Sequence, residues 1–246
     1  MPEMPACITL EKICHSFKDK QVLTDINLTI KHGLIYGLLG PSGCGKTTTV
    51  KIMAGILEAS SGTVTVLGET MPKLQLMGRL GYMAQSDALY GLLTAEENLS
   101  FFGGLYGMES KRIAARIREV LELVNLSDDR TKAVNAYSGG MKRRLSLAAA
   151  LLHEPEVLIL DEPTVGIDPL LRKNIWETLN RLTEKMTIII TTHVMDEAEK
   201  CSELAMLRGG RLIARGTPLS IRQDTGAANL EEAFIHYGED SKYAAD

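Results

Sequence analysis

The spacing of apolar residues separates stretches with strand periodicity from stretches with helix periodicity. Residues 8–30 alternate loosely and contain β-branched sets, which predicts short strands in a small antiparallel sheet. Apolar runs at 34–39, 157–160 and 187–191 are typical of buried strands, and residues 80–83 predict a further short strand. Because helical segments separate these runs, we expect a mainly parallel sheet with right-handed crossovers.

The middle of the chain has the helical period instead. Thr94 is followed by two early glutamates, a composition typical of a helix start. Residues 113–124 carry an apolar stripe at helical spacing, and residues 138–152 are the third predicted helix. We therefore predict an α-helical segment at about 86–153, inserted between two β-rich parts of the chain.

Composition favours an ordinary soluble globular protein, and the four cysteines, none in C-x-x-C spacing, indicate reduced thiols of a cytosolic protein. Hydrophobic residues make up 45% and charged residues 24% of the 246 residues, enough apolar material for a full core. The net charge of −4 argues against nucleic acid as the main partner, because such proteins usually carry a basic footprint. No apolar run approaches the ~18 residues of a membrane span, and the N-terminus lacks a secretory signal pattern.

Residues 40–47 match G-x-x-x-x-G-K-[ST], the pattern of a phosphate-binding loop. Its glycines let backbone amides close around a phosphate, and the helix that follows points its positive end at the same anion. Lys46 would supply a mobile charge for the β- and γ-phosphates, and Thr47 a hydroxyl ligand for Mg²⁺. We therefore predict ATP and Mg²⁺ as ligands. The predicted nucleotide-binding residues of this segment are Gly40, Pro41, Ser42, Gly43, Cys44, Gly45, Lys46, Thr47 and Thr48.

Two adjacent acids follow the predicted buried strand at 157–160. Hydrolases with a phosphate loop need an acid at the end of another buried strand to hold Mg²⁺, and Asp161 fits that requirement. Glu162 is the predicted general base, which would orient the attacking water. An ordinary strand end at a solvated loop is the alternative interpretation, and the phosphate loop in the same chain makes it the weaker one.

A second glycine motif resembles a known family. Tyr137, Ser138, Gly139, Gly140 and Met141 form a segment similar to the signature motif of ABC transporter ATPases, whose usual form is Leu-Ser-Gly-Gly-Gln. The chain departs from that form at the first and last positions, and its continuation Lys-Arg-Arg-Leu resembles the branch that serves ABC-2-type exporters of drugs, polysaccharides and lipids. The serine and two glycines open a predicted helix, so they form a second anion site. Two chains arranged head to tail would each contribute one of the two sites to every ATP.

The resemblance implies roles for four further residues. Gln85 resembles the glutamine that contacts Mg²⁺ and the attacking water, and Asp168 lies in a segment that resembles the loop crossing the dimer interface. His193 resembles the switch histidine that senses the γ-phosphate. Phe17 lies where the family places an aromatic side chain that stacks on adenine. A partly buried core aromatic is an equally good interpretation of Phe17 from the sequence alone.

The resemblance also implies an architecture, an α/β phosphate-loop NTPase core with a mainly parallel sheet, a small N-terminal antiparallel β subdomain and an inserted α-helical subdomain. The implied bounds are one ABC ATPase domain at 1–238, with a catalytic core at about 1–85 and 154–222, a helical subdomain at about 86–153, a C-terminal helical extension at about 223–238, and a tail at 239–246.

The implied function is that of an ATP-hydrolysing subunit that powers an ABC transporter, of the ABC-2 export type. ATP-driven closure of a dimer, made with a second copy or a paralogue, would be coupled to separate transmembrane permease subunits. The protein would then lie on the inner face of the cell membrane, with Leu89 and Tyr90 in the region that contacts the permease. The alternative is a non-transport ABC ATPase, such as one that acts in iron–sulfur assembly.

Overall fold

The computed structural model describes residues 5–239. These residues divide into two compact units, a first unit of residues 5–74 and 187–239 and a second unit of Gln75–Met186. The strands are β1 Ala6–Phe17, β2 Lys20–Lys31, β3 Ile35–Leu39, β4 Ser61–Val66, β5 Glu69–Thr70, β6 Leu80–Met83, β7 Val157–Asp161, β8 Thr187–Thr192, β9 Glu203–Arg208 and β10 Arg211–Gly216. The helices are α1 Lys46–Met53, α2 Ala95–Leu105, α3 Ser110–Leu123, α4 Gly139–Leu151, α5 Pro169–Leu182, α6 Met195–Ala198, α7 Pro218–Thr225 and α8 Leu230–Glu239.

An antiparallel sheet in the first unit has the strand order β2-β1-β4-β5. β1 and β2 pair directly, with Ile8 opposite Ile30 and Leu10 opposite Leu28. All four side chains are buried, because alternate residues of each strand face the core. The small antiparallel sheet predicted at 8–30 is therefore present, and β4 and β5, which follow α1 in the chain, extend it.

In a second sheet of the first unit, β3 lies between β8 and β9. β3 pairs in parallel with both β8 and β9, and β9 pairs antiparallel with β10. Every residue of β3 and β8 is buried, as a continuous apolar run requires when both faces of a strand are covered. Leu39 lies opposite Thr192, so the carboxyl ends of β3 and β8 lie at the same edge of this sheet.

The C-terminal helices of the first unit enclose a hydrophobic cluster. Its buried members are Leu39, Ala198, Leu204, Met206, Ile213, Ile221, Leu230 and Ala233. α7 was not predicted from the pattern, yet its start signal is present: Thr217 caps the helix by accepting the amide of Ser220 at 3.0 Å, and Pro218 follows. The domain bounds given above stay a prediction, and residues 240–246 of the expected tail lie outside the described residues.

The second unit contains a parallel strand pair and four helices. Leu80 lies opposite Val157 and Met83 opposite Leu160, so β6 and β7 run in parallel. Between them in the chain lie α2, α3, α4 and two short 3₁₀ turns, which agrees with the helical segment predicted at about 86–153. α2 begins with a complete capping box between Thr94 and Glu97. The predicted class, α/β with parallel strand pairs and a small antiparallel part, is confirmed.

Within residues 5–239, no helix has both the length and the apolar composition that crossing a membrane would require.

Candidate functional site

The phosphate loop of the first unit lies between β3 and α1. Gly45 precedes α1 with φ 108°, a left-handed conformation that favours glycine, and it offers no side chain to cap the helix. A helix N-terminus without a side-chain cap suits an external anion. Gly43 has φ 80°, and a Cβ placed there would meet nothing within 4 Å, so the loop backbone is open to a ligand. These features fit a phosphate group.

Lys46 folds back across the loop that precedes it. Its side chain is 5% exposed, and Nζ donates to the carbonyl oxygens of Gly40 at 2.8 Å and Pro41 at 3.1 Å. Gly40 is confined from the other side, because an added Cβ would lie 2.3 Å from the backbone oxygen of Leu207 in β9. The carbonyl oxygens of the loop thereby hold the ammonium group in place, and a bound phosphate would compete with them for it.

His193 follows β8 at the same sheet edge as the loop. The amide of Gly40 donates to the carbonyl oxygen of Thr192 at 3.3 Å, so the residue before His193 is bonded to the first residue of the phosphate loop. His193 itself is exposed. Phe17, at the end of β1, is 51% exposed and packs edge-to-face on His15 with ring centroids 4.6 Å apart. That exposure is more than a core aromatic would have.

The predicted acids of the second unit end a fully buried strand. Asp161 is the last residue of β7 and is 1% exposed, and Glu162 is 8% exposed. Glu162 has φ 49°, a left-handed conformation that costs a non-glycine residue on the order of 1 kcal/mol. Gln85, which follows β6, donates from Nε2 to Glu162 Oε2 at 3.2 Å. Two predicted catalytic residues from distant parts of the sequence thus meet in this unit.

Arg143 of α4 holds this cluster together, and sequence reasoning missed it. Its guanidinium donates to the carbonyl oxygens of Asp161 at 2.7 Å and Glu162 at 2.6 Å, and to that of Pro163 at 3.1 Å. It also donates to the carbonyl oxygens of Ala84 at 2.8 Å and Gln85 at 2.9 Å. One side chain therefore joins the segment after β7 to the segment after β6.

The environment of Arg143 explains how a charge is kept in the interior. Burial lowers the pKa of its guanidinium, and the nearby carboxylates of Asp87 and Asp161 oppose that effect. Asp87 lies 3.7 Å from Nη1 and accepts a hydrogen bond from Ser146 at 2.9 Å. The sequence did hold a signal, because Arg143 shares the buried face of α4 with Leu147, four residues on. A charged residue in such a stripe indicates a buried hydrogen-bond network.

The predicted signature segment forms the start of α4. Ser138 is the N-cap, and its Oγ accepts the amide of Met141 at 3.3 Å. Ser138 and Gly139 are exposed, and a Cβ at Gly139 would meet nothing within 4 Å. Tyr137 is instead buried and donates its hydroxyl to the carbonyl oxygen of Asp129 at 2.8 Å. Tyr137 therefore anchors the segment, and the serine and first glycine present an open helix N-terminus to the surroundings.

Asp168 is exposed and caps α5. Its Oδ1 accepts the amides of Leu170 at 3.1 Å and Leu171 at 3.0 Å, and Pro169 occupies the first helical position. The cap fixes Asp168 at the start of the helix. In the segment before it, which has the predicted interface role, the amide of Ile167 donates to the carbonyl oxygen of Thr164 at 3.3 Å.

Comparisons with known proteins identify the family. The family model described as "ABC transporter" matches residues 23–165, more than half of the 246 residues. The chain is 41% identical over 236 residues to the probable multidrug ABC transporter ATP-binding protein YbhF of Escherichia coli, covering 93% of this chain and 41% of that protein. It is 40% identical over 238 residues to the Nod factor export ATP-binding protein I of Burkholderia lata, covering 95% and 78%.

A solved structure described as the ATP-binding subunit of an ABC transporter has the same fold. It superimposes with a TM-score of 0.85 at 28% identity, over 94% of this chain and 99% of that one. Taken with the phosphate loop and the second helix N-terminus at Ser138, these matches agree with the resemblance drawn from the motifs. The chain belongs to the ABC transporter family, as one of its ATP-binding domains.

Proposed function

We propose that the chain binds and hydrolyses ATP with Mg²⁺ to power export through separate membrane subunits, on the inner face of the cell membrane. One observation carries the proposal. Within residues 5–239, glycines line the helix N-termini of α1, behind Gly45, and of α4, behind Ser138, and each of the two suits an anion. The names of the relatives, a multidrug transporter protein and a Nod factor export protein, support export.

The phosphate loop takes the phosphates of ATP in this proposal. Lys46 exchanges its carbonyl partners for β- and γ-phosphate oxygens, because an anion is the stronger acceptor. Thr47, Asp161 and Gln85 would hold Mg²⁺, which, when bound, neutralises charge on the phosphates. Phe17 stacks on adenine with the ring surface that its exposure leaves open.

Glu162 orients the attacking water and accepts its proton. The structure supports this role through the side-chain amide of Gln85, which donates to Oε2, and through the backbone bonds of Arg143 that hold the segment. His193 contacts the γ-phosphate from the residue after β8. Phosphoryl transfer depends mainly on positioning and charge neutralisation, and buried, hydrogen-bonded residues provide both.

A second copy or a close paralogue completes the site. Ser138, Gly139 and Gly140 of that copy bind the γ-phosphate of an ATP held by this chain's phosphate loop, and Asp168 lies at the interface. Two ATP molecules then hold the two chains together, and hydrolysis releases them. The hydrogen bond from the Tyr137 hydroxyl to Asp129 supports this role, because it fixes the segment without occupying its open end.

The surface around Leu89 and Tyr90 is the proposed contact with the permease. Tyr90 is 50% exposed and packs edge-to-face on Phe101, with ring centroids 4.9 Å apart. Leu89 lines a cavity of about 100 Å³ together with Tyr82 and Tyr106. Exposed aromatic residues beside a small apolar cavity suit a helix docked from a partner. The iron–sulfur assembly alternative has no support in these matches.

The variant Glu162→Gln tests the proposal. It keeps the size and hydrogen-bonding capacity of the side chain and removes the base. We expect ATP binding to persist and turnover to fall at least about a hundredfold. The trapped ATP should then hold two copies together, which size-exclusion chromatography with ATP and Mg²⁺ would detect.

The matched control is Glu122→Gln, which makes the same chemical change on the exposed surface of α3. It should bind and hydrolyse ATP as the parent chain does. Unchanged turnover in Glu162→Gln would remove the base role from Glu162, and the absence of any ATP binding by the parent chain would reject the proposed function itself.

A further inference from the structure

Thr192 lies at the junction between the phosphate loop and His193. Its carbonyl oxygen accepts the amide of Gly40, as described above, and its backbone pairs with Leu39 in β3. Its Oγ1 accepts the amide of Val194 at 3.0 Å, on the far side of His193. The bonds made by Thr192 therefore bracket the histidine.

The carboxylate of Glu197 is the acceptor for the hydroxyl of Thr192. Thr192 Oγ1 donates to Glu197 Oε2 at 2.8 Å, and the two residues are 1% and 2% exposed. A buried carboxylate needs hydrogen-bond donors, so this bond is costly to break. Glu197 lies on α6, and Ala198 beside it belongs to the cluster that Leu230 and Ala233 of α8 complete. The turn that carries His193 is thus fastened to the packed core of the first unit.

We propose that Thr192 and Glu197 are positioning residues that set the direction of the His193 side chain. The inference rests on the proposed function, because it acts through the contact of His193 with the γ-phosphate. Threonine suits this position because its hydroxyl has one donor and two acceptor positions, so it accepts from Val194 and donates to Glu197 at once. The bonds of Thr192 fix the backbone on both sides of His193 and so set the direction in which its Cα–Cβ bond points.

A double-mutant cycle tests the inference. Thr192→Val keeps the shape and the carbonyl bond to Gly40 but removes the hydroxyl. We expect it to lower kcat for ATP about tenfold with little change in the Kd for ATP, because a misplaced catalytic group slows the chemical step more than it weakens binding. His193→Ala should lower kcat about a hundredfold. The double variant Thr192→Val/His193→Ala should be no slower than His193→Ala, because Thr192 acts only through the histidine.

Two further variants separate positioning from stability. Thr192→Ser keeps the hydroxyl and should restore kcat to within about twofold of the parent. Thr187→Val removes an equally buried hydroxyl at the other end of β8, where Thr187 accepts the amide of Gly33 at 3.1 Å. It should lower Tm comparably and leave kcat unchanged.

Each outcome decides a separate claim. If the losses from Thr192→Val and His193→Ala multiply in the double variant, or if Thr192→Val slows turnover no more than Thr187→Val does, the positioning role is wrong while the proposed function stands. If His193→Ala turns over ATP like the parent chain, the proposed role of His193 fails, and the inference fails with it.

Discussion

Arg143 offers the sharpest test of how the second unit holds its catalytic segments. The variant Arg143→Met keeps most of the volume of the side chain and removes the guanidinium. Five carbonyl oxygens then lose their donor, at Ala84, Gln85 and residues 161–163. The carboxylate of Asp87 also loses the cation that lies 3.7 Å away.

The expected loss is large but smaller than the sum of the bonds. Hydrogen bonds to a charged donor contribute roughly 1.5–3 kcal/mol each, and the backbone relaxes in part when several are lost together. Removing one partner of a buried charged network typically costs about 3–5 kcal/mol. We therefore expect Arg143→Met to lower the free energy of unfolding by about 4 kcal/mol, which for a chain of this size corresponds to a fall in Tm of about 8–16 °C.

Urea denaturation of the purified chain, followed by circular dichroism, measures this loss. The control is Arg144→Met, the neighbouring residue, whose guanidinium donates to the carbonyl oxygens of Val124 at 3.0 Å and Asn125 at 2.8 Å. We expect that control to lose about 1–2 kcal/mol. If Arg143→Met loses no more than Arg144→Met, the guanidinium does not hold the two segments and the reasoning is wrong.

Two further predictions concern the phosphate loop and the partner surface. Gly40→Ala would place a Cβ 2.3 Å from a backbone oxygen of β9, so we expect it to lower the free energy of unfolding by about 1–3 kcal/mol and to weaken ATP binding. The control Gly78→Ala, where a Cβ meets nothing within 4 Å, should change neither quantity. Replacing Leu89 and Tyr90 by serine should abolish transport in membranes while ATP turnover of the purified chain persists. Leu219→Ser, which changes an equally exposed apolar residue of α7, should transport normally, and normal transport by the double variant would place the contact elsewhere.

Much of the fold followed from local patterns. The apolar run at 157–160 and the isoleucine-rich run at 187–191 predicted buried strands, and both are present, because a strand covered on two faces has no place for a charged side chain. The capping box of α2 was readable at Thr94 because its hydrogen bonds join residues three apart. The family was predicted from two glycine motifs, which could be recognised because each is a contiguous run of residues. The matches with known proteins confirm the family.

The parts that were missed depend on contacts between distant residues. The place of Arg143 in the buried stripe of α4 indicates a network but not its partners, which are carbonyl oxygens 18 to 59 positions away, and backbone acceptors leave no mark in the sequence. The left-handed backbone of Glu162 is equally invisible, since the residue type does not favour it. Thr192 and Glu197 are only five residues apart, yet their bond depends on the turn at His193 and on the packing of α6. The individual roles of the site residues stay predictions.

The central claim is that each ATP is held by the phosphate loop of one copy and the Ser138 segment of another. A mixing experiment tests it most directly, with one variant carrying Lys46→Ala and the other Ser138→Arg. Each alone should be inactive, because every site of its dimer lacks one half. In a random 1:1 mixture about half of the dimers are mixed, and each has one of its two sites intact, so we predict recovery of about one quarter of the parent ATPase rate. If the parent chain alone hydrolyses ATP and the mixture stays as inactive as its components, both halves of the site belong to the same chain and the account is wrong.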